Sequence, residues 1–152
     1  MVQVKHLCIH VVLVMGLLAV SCAREKTPVT VTQYTDPSYI TGIALYQGYV
    51  WCASKGGLVR WDLNSRTYEL ITTAEGLISN VLNDIVVDKD STLWVSSHEG
   101  IASFDGEVWR HYDLAQGLPS TYVNDLTVDR NGVLWAATQD GAARWDGKKF
   151  NL

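Results

Sequence analysis

Leu126-Thr-Val-Asp-Arg-Asn-Gly-Val-Leu-Trp135-Ala-Ala-Thr-Gln-Asp-Gly141-Ala-Ala-Arg-Trp145-Asp146 decides the fold, because the chain contains it three times over. The second copy reads Ile85-Val-Val-Asp-Lys-Asp-Ser-Thr-Leu-Trp94-Val-Ser-Ser-His-Glu-Gly100-Ile-Ala-Ser-Phe104-Asp105. The first reads Ile43-Ala-Leu-Tyr-Gln-Gly-Tyr-Val-Trp51-Cys-Ala-Ser-Lys-Gly-Gly57-Leu-Val-Arg-Trp61-Asp62. Trp51, Trp94 and Trp135 lie 43 and 41 residues apart, and the glycines (57, 100, 141) and the aromatic-Asp pairs keep the same intervals. Between copies, Glu75-Gly76-Leu77 returns as Gln116-Gly117-Leu118, and Asn83-Asp84 as Asn124-Asp125. A fixed period of this length is the signature of stacked units that cannot bury their own faces alone.

Each unit reads as short apolar strands separated by turn residues. Asn131-Gly132 breaks the first pair of runs, and Gly56-Gly57, Glu99-Gly100 and Asp140-Gly141 mark the second junction. Asp105-Gly106 and Asp146-Gly147 mark the third. Such pairs supply the positive φ of two-residue hairpin turns, glycine because it lacks a Cβ. Four hairpin-connected strands in about 41 residues is the metric of a propeller blade. The expectation is an all-β fold of about three four-stranded antiparallel blades, an incomplete propeller, over residues 30–152 with repeats near 39–80, 81–122 and 123–152. The recurring rings are expected to fill the layers between blades.

The acidic turn, Leu-Trp, small-residue strand, Asp/Glu-Gly and aromatic-Asp-Gly resemble the two-component regulator propeller repeats of bacterial sensor proteins. Residues 129–141 are the nearest copy, and Gln116-Gly117-Leu118-Pro119-Ser120 leading to Asn124-Asp125 is similar to the connector of that family. The resemblance spans roughly residues 36–150, and the first repeat departs most, with Tyr46-Gln47-Gly48 replacing the acidic turn. It implies a periplasmic propeller that binds a ligand, often a glycan fragment, or a protein partner.

The first twenty-two residues are of another kind. Lys5 and His6 precede an apolar run from Val11 to Val20, which ends in Ala19-Val20-Ser21-Cys22. The run is too short to span about 30 Å of hydrocarbon and has the length of a signal-peptide core. The stretch resembles the lipobox of bacterial lipoproteins. That implies a signal peptide over 1–21, lipid attachment at Cys22, a tether over 22–29, and an exported protein anchored at the periplasmic face of the outer membrane or the cell surface. Of the three cysteines, only Cys52 then remains, and a single Cys within an apolar run reads as a small buried hydrophobe.

Closure is a matter of arithmetic. Propellers close with about four to eight blades, so three need partners: either further units outside this sequence, or copies associating as a homo-oligomer that completes the propeller. Val29-Thr-Val-Thr-Gln-Tyr34 resembles a fourth strand, and residues 28–35 are expected to form one at an edge of the array.

Composition excludes some functions. The 152 residues are 47% hydrophobic and 18% charged, with a net charge of −4, so no basic field draws in nucleic acid. Asp88-Lys-Asp90 and Asp129-Arg-Asn131 lack the spacing of a wrapping calcium loop, since Leu-Trp of a strand interrupts it. His98 and His111 have no ligand-type spacing, and no nucleophile-elbow or phosphate-loop motif occurs. No catalytic residue, metal or cofactor is expected. Where binding occurs, it should use the turns between the second and third strands. These carry Lys55, His98, Glu99, Gln139 and Asp140, varied polar residues on a repeated frame. The reading is a non-enzymatic binding module. The rivals are a fragment of a propeller glycoside hydrolase or lyase using Glu99 or Asp140, and a remnant without independent function.

Overall fold

The computed structural model describes residues 39–152. The expected leader, Cys22, the tether and the 28–35 strand lie outside the described residues. Twelve strands form three antiparallel sheets, each in simple chain order. The first blade holds β1 (Ile40–Tyr46), β2 (Tyr49–Ser54), β3 (Gly57–Asp62) and β4 (Thr67–Ile71). The second holds β5 (Leu82–Val87), β6 (Leu93–Ser97), β7 (Gly100–Phe104) and β8 (Trp109–Tyr112). The third holds β9 (Val123–Val128), β10 (Leu134–Thr138), β11 (Gly141–Trp145) and β12 (Phe150–Asn151). The first strands of successive blades are neighbours, β1 beside β5 and β5 beside β9, which is the radial arrangement of a propeller.

Both faces of a blade are apolar because strand residues alternate sides and each side meets a different neighbour. The face toward the following blade carries Trp51, Ala53 and Leu58 in blade one, and Trp94 and Ile101 in blade two. The face toward the preceding blade carries Ile85, Val95 and Ala102 in blade two, and Leu126, Ala136 and Ala143 in blade three. Two interblade cores result. The first seats Trp51 against Phe104, with centroids 6.0 Å apart. The second seats Trp94 among Tyr112, Trp145 and Phe150, at 5.2, 5.3 and 6.3 Å. Each fully buried apolar side chain is worth about 1.5–3 kcal/mol, so these layers are what holds the blades together.

The recurring Glu75/Gln116 and Gly76/Gly117 have a local cause. Each connector makes a single 3-10 turn, η1 (Thr73–Glu75) or η2 (Leu114–Gln116), closed by a capping box between Thr72 and Glu75 or Asp113 and Gln116. The glycine that follows is left-handed (φ 106° and 92°) and turns the chain so that Leu77 and Leu118 plug the interblade cores.

The first hairpin corrects the reading of its turns. Between first and second strands only blade one has a two-residue connection, Gln47-Gly48, with both residues at positive φ (49° and 81°). In blades two and three the connections run from Asp88 to Thr92 and from Asp129 to Val133. Asn131 is not left-handed, and of residues 129–133 only Gly132 is (φ 78°). The aspartate side chain replaces the tight turn. Asp129 accepts from the amides of Asn131 and Val133 at 2.8 and 3.0 Å, and from Trp135 Nε1 at 3.2 Å. Asp88 does the same with Asp90, Thr92 and Trp94. The acidic residue before Leu-Trp therefore folds the loop and orients the tryptophan, so its role is structural.

These turns predict the acid limit of stability. Amide donors hold several turn carboxyls below the ordinary carboxylate range. In Asp105 the Val108 amide is the main cause, with help from Arg110, and in Asp129 it is the Val133 amide. Asp146 is held at about 2 by the amides of Lys149 and Lys148. The unfolded chain thus binds protons before the native one does. The stability these groups contribute is complete above the model-peptide value near 3.8 and is lost as pH falls toward about 2. Melting temperature should decline between pH 4 and 2, and circular dichroism melts across that range test it; a flat profile would contradict it.

Candidate ligand-binding rim

The turns from second to third strand share one construction. Ser54, Ser97 and Thr138 each donate a side-chain hydroxyl to the carbonyl three residues on, of Gly57, Gly100 and Gly141, at 2.7, 3.0 and 2.7 Å. Ser54 and Ser97 also accept from the amides of Gly56 and Glu99. The frame is constant, and the two residues at the tip are free to vary: Lys55-Gly56, His98-Glu99 and Gln139-Asp140.

Two of the tips, Lys55 and His98, reach across to the next blade, and Glu99 and Gln139 bond to the segment that leads into their own. Lys55 Nζ donates to Asn83 Oδ1 at 2.7 Å. The ring of His98 stacks on Tyr122 with centroids 3.6 Å apart and planes 16° from parallel. Ser79 donates to Glu99 Oε1 at 3.0 Å, and the amide of Gln139 donates to the Tyr122 carbonyl at 2.9 Å. The five residues singled out in the sequence therefore occupy the equivalent turns of the three blades, with Lys55, His98, Glu99 and Gln139 held by Asn83, Tyr122 and Ser79. Lys55, Glu99, Gln139 and Asp140 are exposed, and His98 is half-buried beneath its stacking partner. His111 is elsewhere, on β8, bonded through Nε2 to the Gly76 carbonyl. Cys52 is half-buried in β2, and burial pushes its thiol up.

Reading the sequence missed the partners. Tyr39 is the counterpart of Tyr122 in the first repeat, its carbonyl accepting from the Lys55 amide at 3.1 Å as that of Tyr122 accepts from Gln139, and neither shows as a rim residue in the sequence. Asn83-Asp84 and Asn124-Asp125 are visible in the sequence only as landmarks, whereas Asn83 and Asp84 stitch the second blade to the third. Thr41 Oγ1 donates to the Leu82 carbonyl at 3.0 Å, and Asn83 Nδ2 donates to the Val123 carbonyl at 2.7 Å. Asp84 Oδ2 accepts from the amide of Leu126 at 3.0 Å. Each contact joins one inner strand to the next, 40 to 42 residues on. Desolvation, and then the neighbouring Asp125, push the Asp84 carboxyl up. Gly42 stands where the other blades have aspartate, and a Cβ there would lie 2.8 Å from Asp84 Oδ1.

Chemically, the rim offers a cation, an imidazole over a phenol, two carboxylates and an amide. The carboxylate of Glu99 is engaged by Ser79 within its own blade. That arrangement suits recognition of a polar ligand by hydrogen bonds and ring stacking.

Comparison with known proteins agrees on the fold. A search of the curated proteins finds no match. Residues 117–140 match the family described as two component regulator propeller. Among solved structures, an extracellular domain assigned to hybrid two component system BT3049 of B. thetaiotaomicron is similar at TM-score 0.65 and 24% identity, over 74% of this chain and 16% of that one. The corresponding domain of BT4673 from the same organism gives 0.67 and 20%, over 79% and 18%. Virginiamycin B lyase from Staphylococcus aureus gives 0.57 and 16%, over 77% and 41%. The chain thus spans less than a fifth of the length of the two sensor domains. With sheets, interblade cores and similar structures in agreement, residues 39–152 are three successive blades of a β-propeller, in which residues 117–140 match the two component regulator propeller family.

Proposed function

We propose that this chain is a non-enzymatic, exported binding module, lipid-anchored through Cys22, that takes a glycan fragment or a protein partner on the rim of Lys55, His98, Glu99, Gln139 and Asp140. The observation that carries the reading is the constant hydroxyl-braced turn with a different polar tip in each blade. A repeated scaffold that varies only at its solvent-facing tips is how a repeat surface acquires specificity. The His98–Tyr122 stack adds a planar aromatic element beside hydrogen-bonding groups, which suits the faces of sugar rings. Likeness to extracellular sensor domains supports an exported location.

The test uses the full chain on an array of neutral and acidic oligosaccharides, against the variant with Lys55, His98 and Gln139 all changed to alanine. Loss of binding by more than about tenfold (~1.4 kcal/mol) in a folded variant is expected. Unchanged binding would end the rim assignment. Turnover of any bound oligosaccharide that disappears on Glu99→Gln or Asp140→Asn would replace it with the hydrolase or lyase reading.

A further inference from the structure

We infer that Asn131 is a site of spontaneous covalent modification, at which its side chain closes on the backbone of Gly132 at a rate set by the Asp129 carboxylate. The inference does not depend on the rim, which lies at the opposite end of the second strand. Of the six asparagines, Asn131 alone is followed by glycine, and a residue without a Cβ leaves its amide open to attack. Asn131 is exposed, and its side-chain amide bonds to no described residue. Asn80, Asn83 and Asn151 have theirs tied, to the Thr73 amide, to Lys55 and the Val123 carbonyl, and to Asp146. The exposure belongs to the loop itself. The equivalent Asp90 is exposed in blade two, which has a described blade on either side.

The fold both keeps this dipeptide and restrains it. Gly132 has φ 78°, and a Cβ on it would lie 2.5 and 2.8 Å from Cδ and Cβ of Lys89, in the blade before. Reaction needs the Gly132 amide nitrogen to reach Asn131 Cγ. That amide donates to the Asp129 carbonyl at 2.8 Å, while the Asp129 side chain holds the amides on either side of it, of Asn131 and Val133. The loop must therefore open first. The nitrogen–Cγ bond then forms, the Cγ–Nδ2 bond breaks, and Nδ2 leaves as ammonia with the proton of the Gly132 amide. Water opens the resulting succinimide at either carbonyl. Opening at Cγ gives aspartate, and blade two already carries Asp90 at this position on the equivalent Asp88 scaffold. Opening at the main-chain carbonyl gives isoaspartate, whose backbone is one methylene longer and no longer presents both amides to Asp129.

The experiment is incubation of the full chain at mildly alkaline pH, with peptide mapping by mass spectrometry and enzymatic methylation of isoaspartate. The peptide carrying Asn131 should gain the mass of an amide-to-acid conversion and accept methyl groups, ahead of those carrying Asn64 and Asn124. Asp129→Ala should speed the conversion by about tenfold or more, because local opening then costs less. Asp129→Asn keeps an acceptor for both amides and loses only the Trp135 indole, so its rate should fall between the two. Where the alanine variant fails to fold, the asparagine variant carries the test. Conversion first at Asn64 or Asn124, no conversion at Asn131 while the denatured chain converts, or rates indifferent to both Asp129 variants would each overturn the inference.

Discussion

Trp94→Ala is expected to destabilise the protein by about 3–5 kcal/mol, the range for removing a buried large aromatic. Trp94 is 2% exposed and its ring touches three others: Tyr112 of its own blade, and Trp145 and Phe150 of the next. Truncation opens a cavity at the centre of the second interblade core and takes from Asp88 Oδ2 the indole donor at 2.8 Å, while Oδ1 keeps the amides of Asp90 and Thr92. Against a total stability of roughly 5–15 kcal/mol for an ordinary domain, this is a large share. The same change at Trp135 provides an internal control. Its indole is bonded to Asp129 at 3.2 Å in the same way, but its ring is only partly buried. Urea unfolding followed by tryptophan fluorescence should rank Trp94→Ala well above Trp135→Ala. Equal losses would show that the loop hydrogen bond, and not the interblade layer, is what the tryptophan contributes.

The second large effect concerns three glycines that look alike in the sequence. Gly57, Gly100 and Gly141 all have φ near 130°, a backbone state that costs residues with a Cβ about 1–3 kcal/mol. Their surroundings differ. A Cβ on Gly100 would collide with the Tyr112 carbonyl oxygen and lie 2.9 Å from Ile78 Cδ1. On Gly57 it would lie 2.8 Å from the Ile71 carbonyl oxygen, and on Gly141 only a Leu152 methyl comes near, at 3.8 Å. Alanine should therefore cost most at Gly100, somewhat less at Gly57, and only the backbone strain at Gly141. Gly100→Ala is expected to exceed Gly141→Ala by about 2 kcal/mol or more, because backbone of the fourth strand must move, at a cost comparable to overpacking a core. Denaturation midpoints of the three variants test the order; equal costs would mean that strain alone governs these positions.

The connector loops show how far local chemistry reaches. Thr72 with Glu75, and Asp113 with Gln116, are capping boxes three residues apart, and the glycine after each is left-handed. Every partner lies within one turn of chain, so a periodic Glu/Gln-Gly-Leu is enough to place them. The five-residue loops of blades two and three were harder. Asn131-Gly132 has the look of a two-residue turn, yet Asp129 captures two loop amides and an indole, and that side-chain bonding overrides the dipeptide preference. For the rim, the turn tips were legible because they vary on a repeated frame. Tyr122 and Asn83 were not, since nothing local ties them to His98 and Lys55.

The sequence by itself determined the period, the strand alternation and the turn residues, because hydrophobic spacing and backbone preference act over a few residues. Only the tertiary structure decided which of the equivalent positions are covered. Trp94 is enclosed and Trp135 partly open, and Asp84 is desolvated beside Asp125 while Gly42 leaves it room. Those differences arise from contacts some 40 residues apart in the chain, such as Asn83 to Val123. Identical local patterns acquire unequal energies according to which neighbouring blade removes them from water.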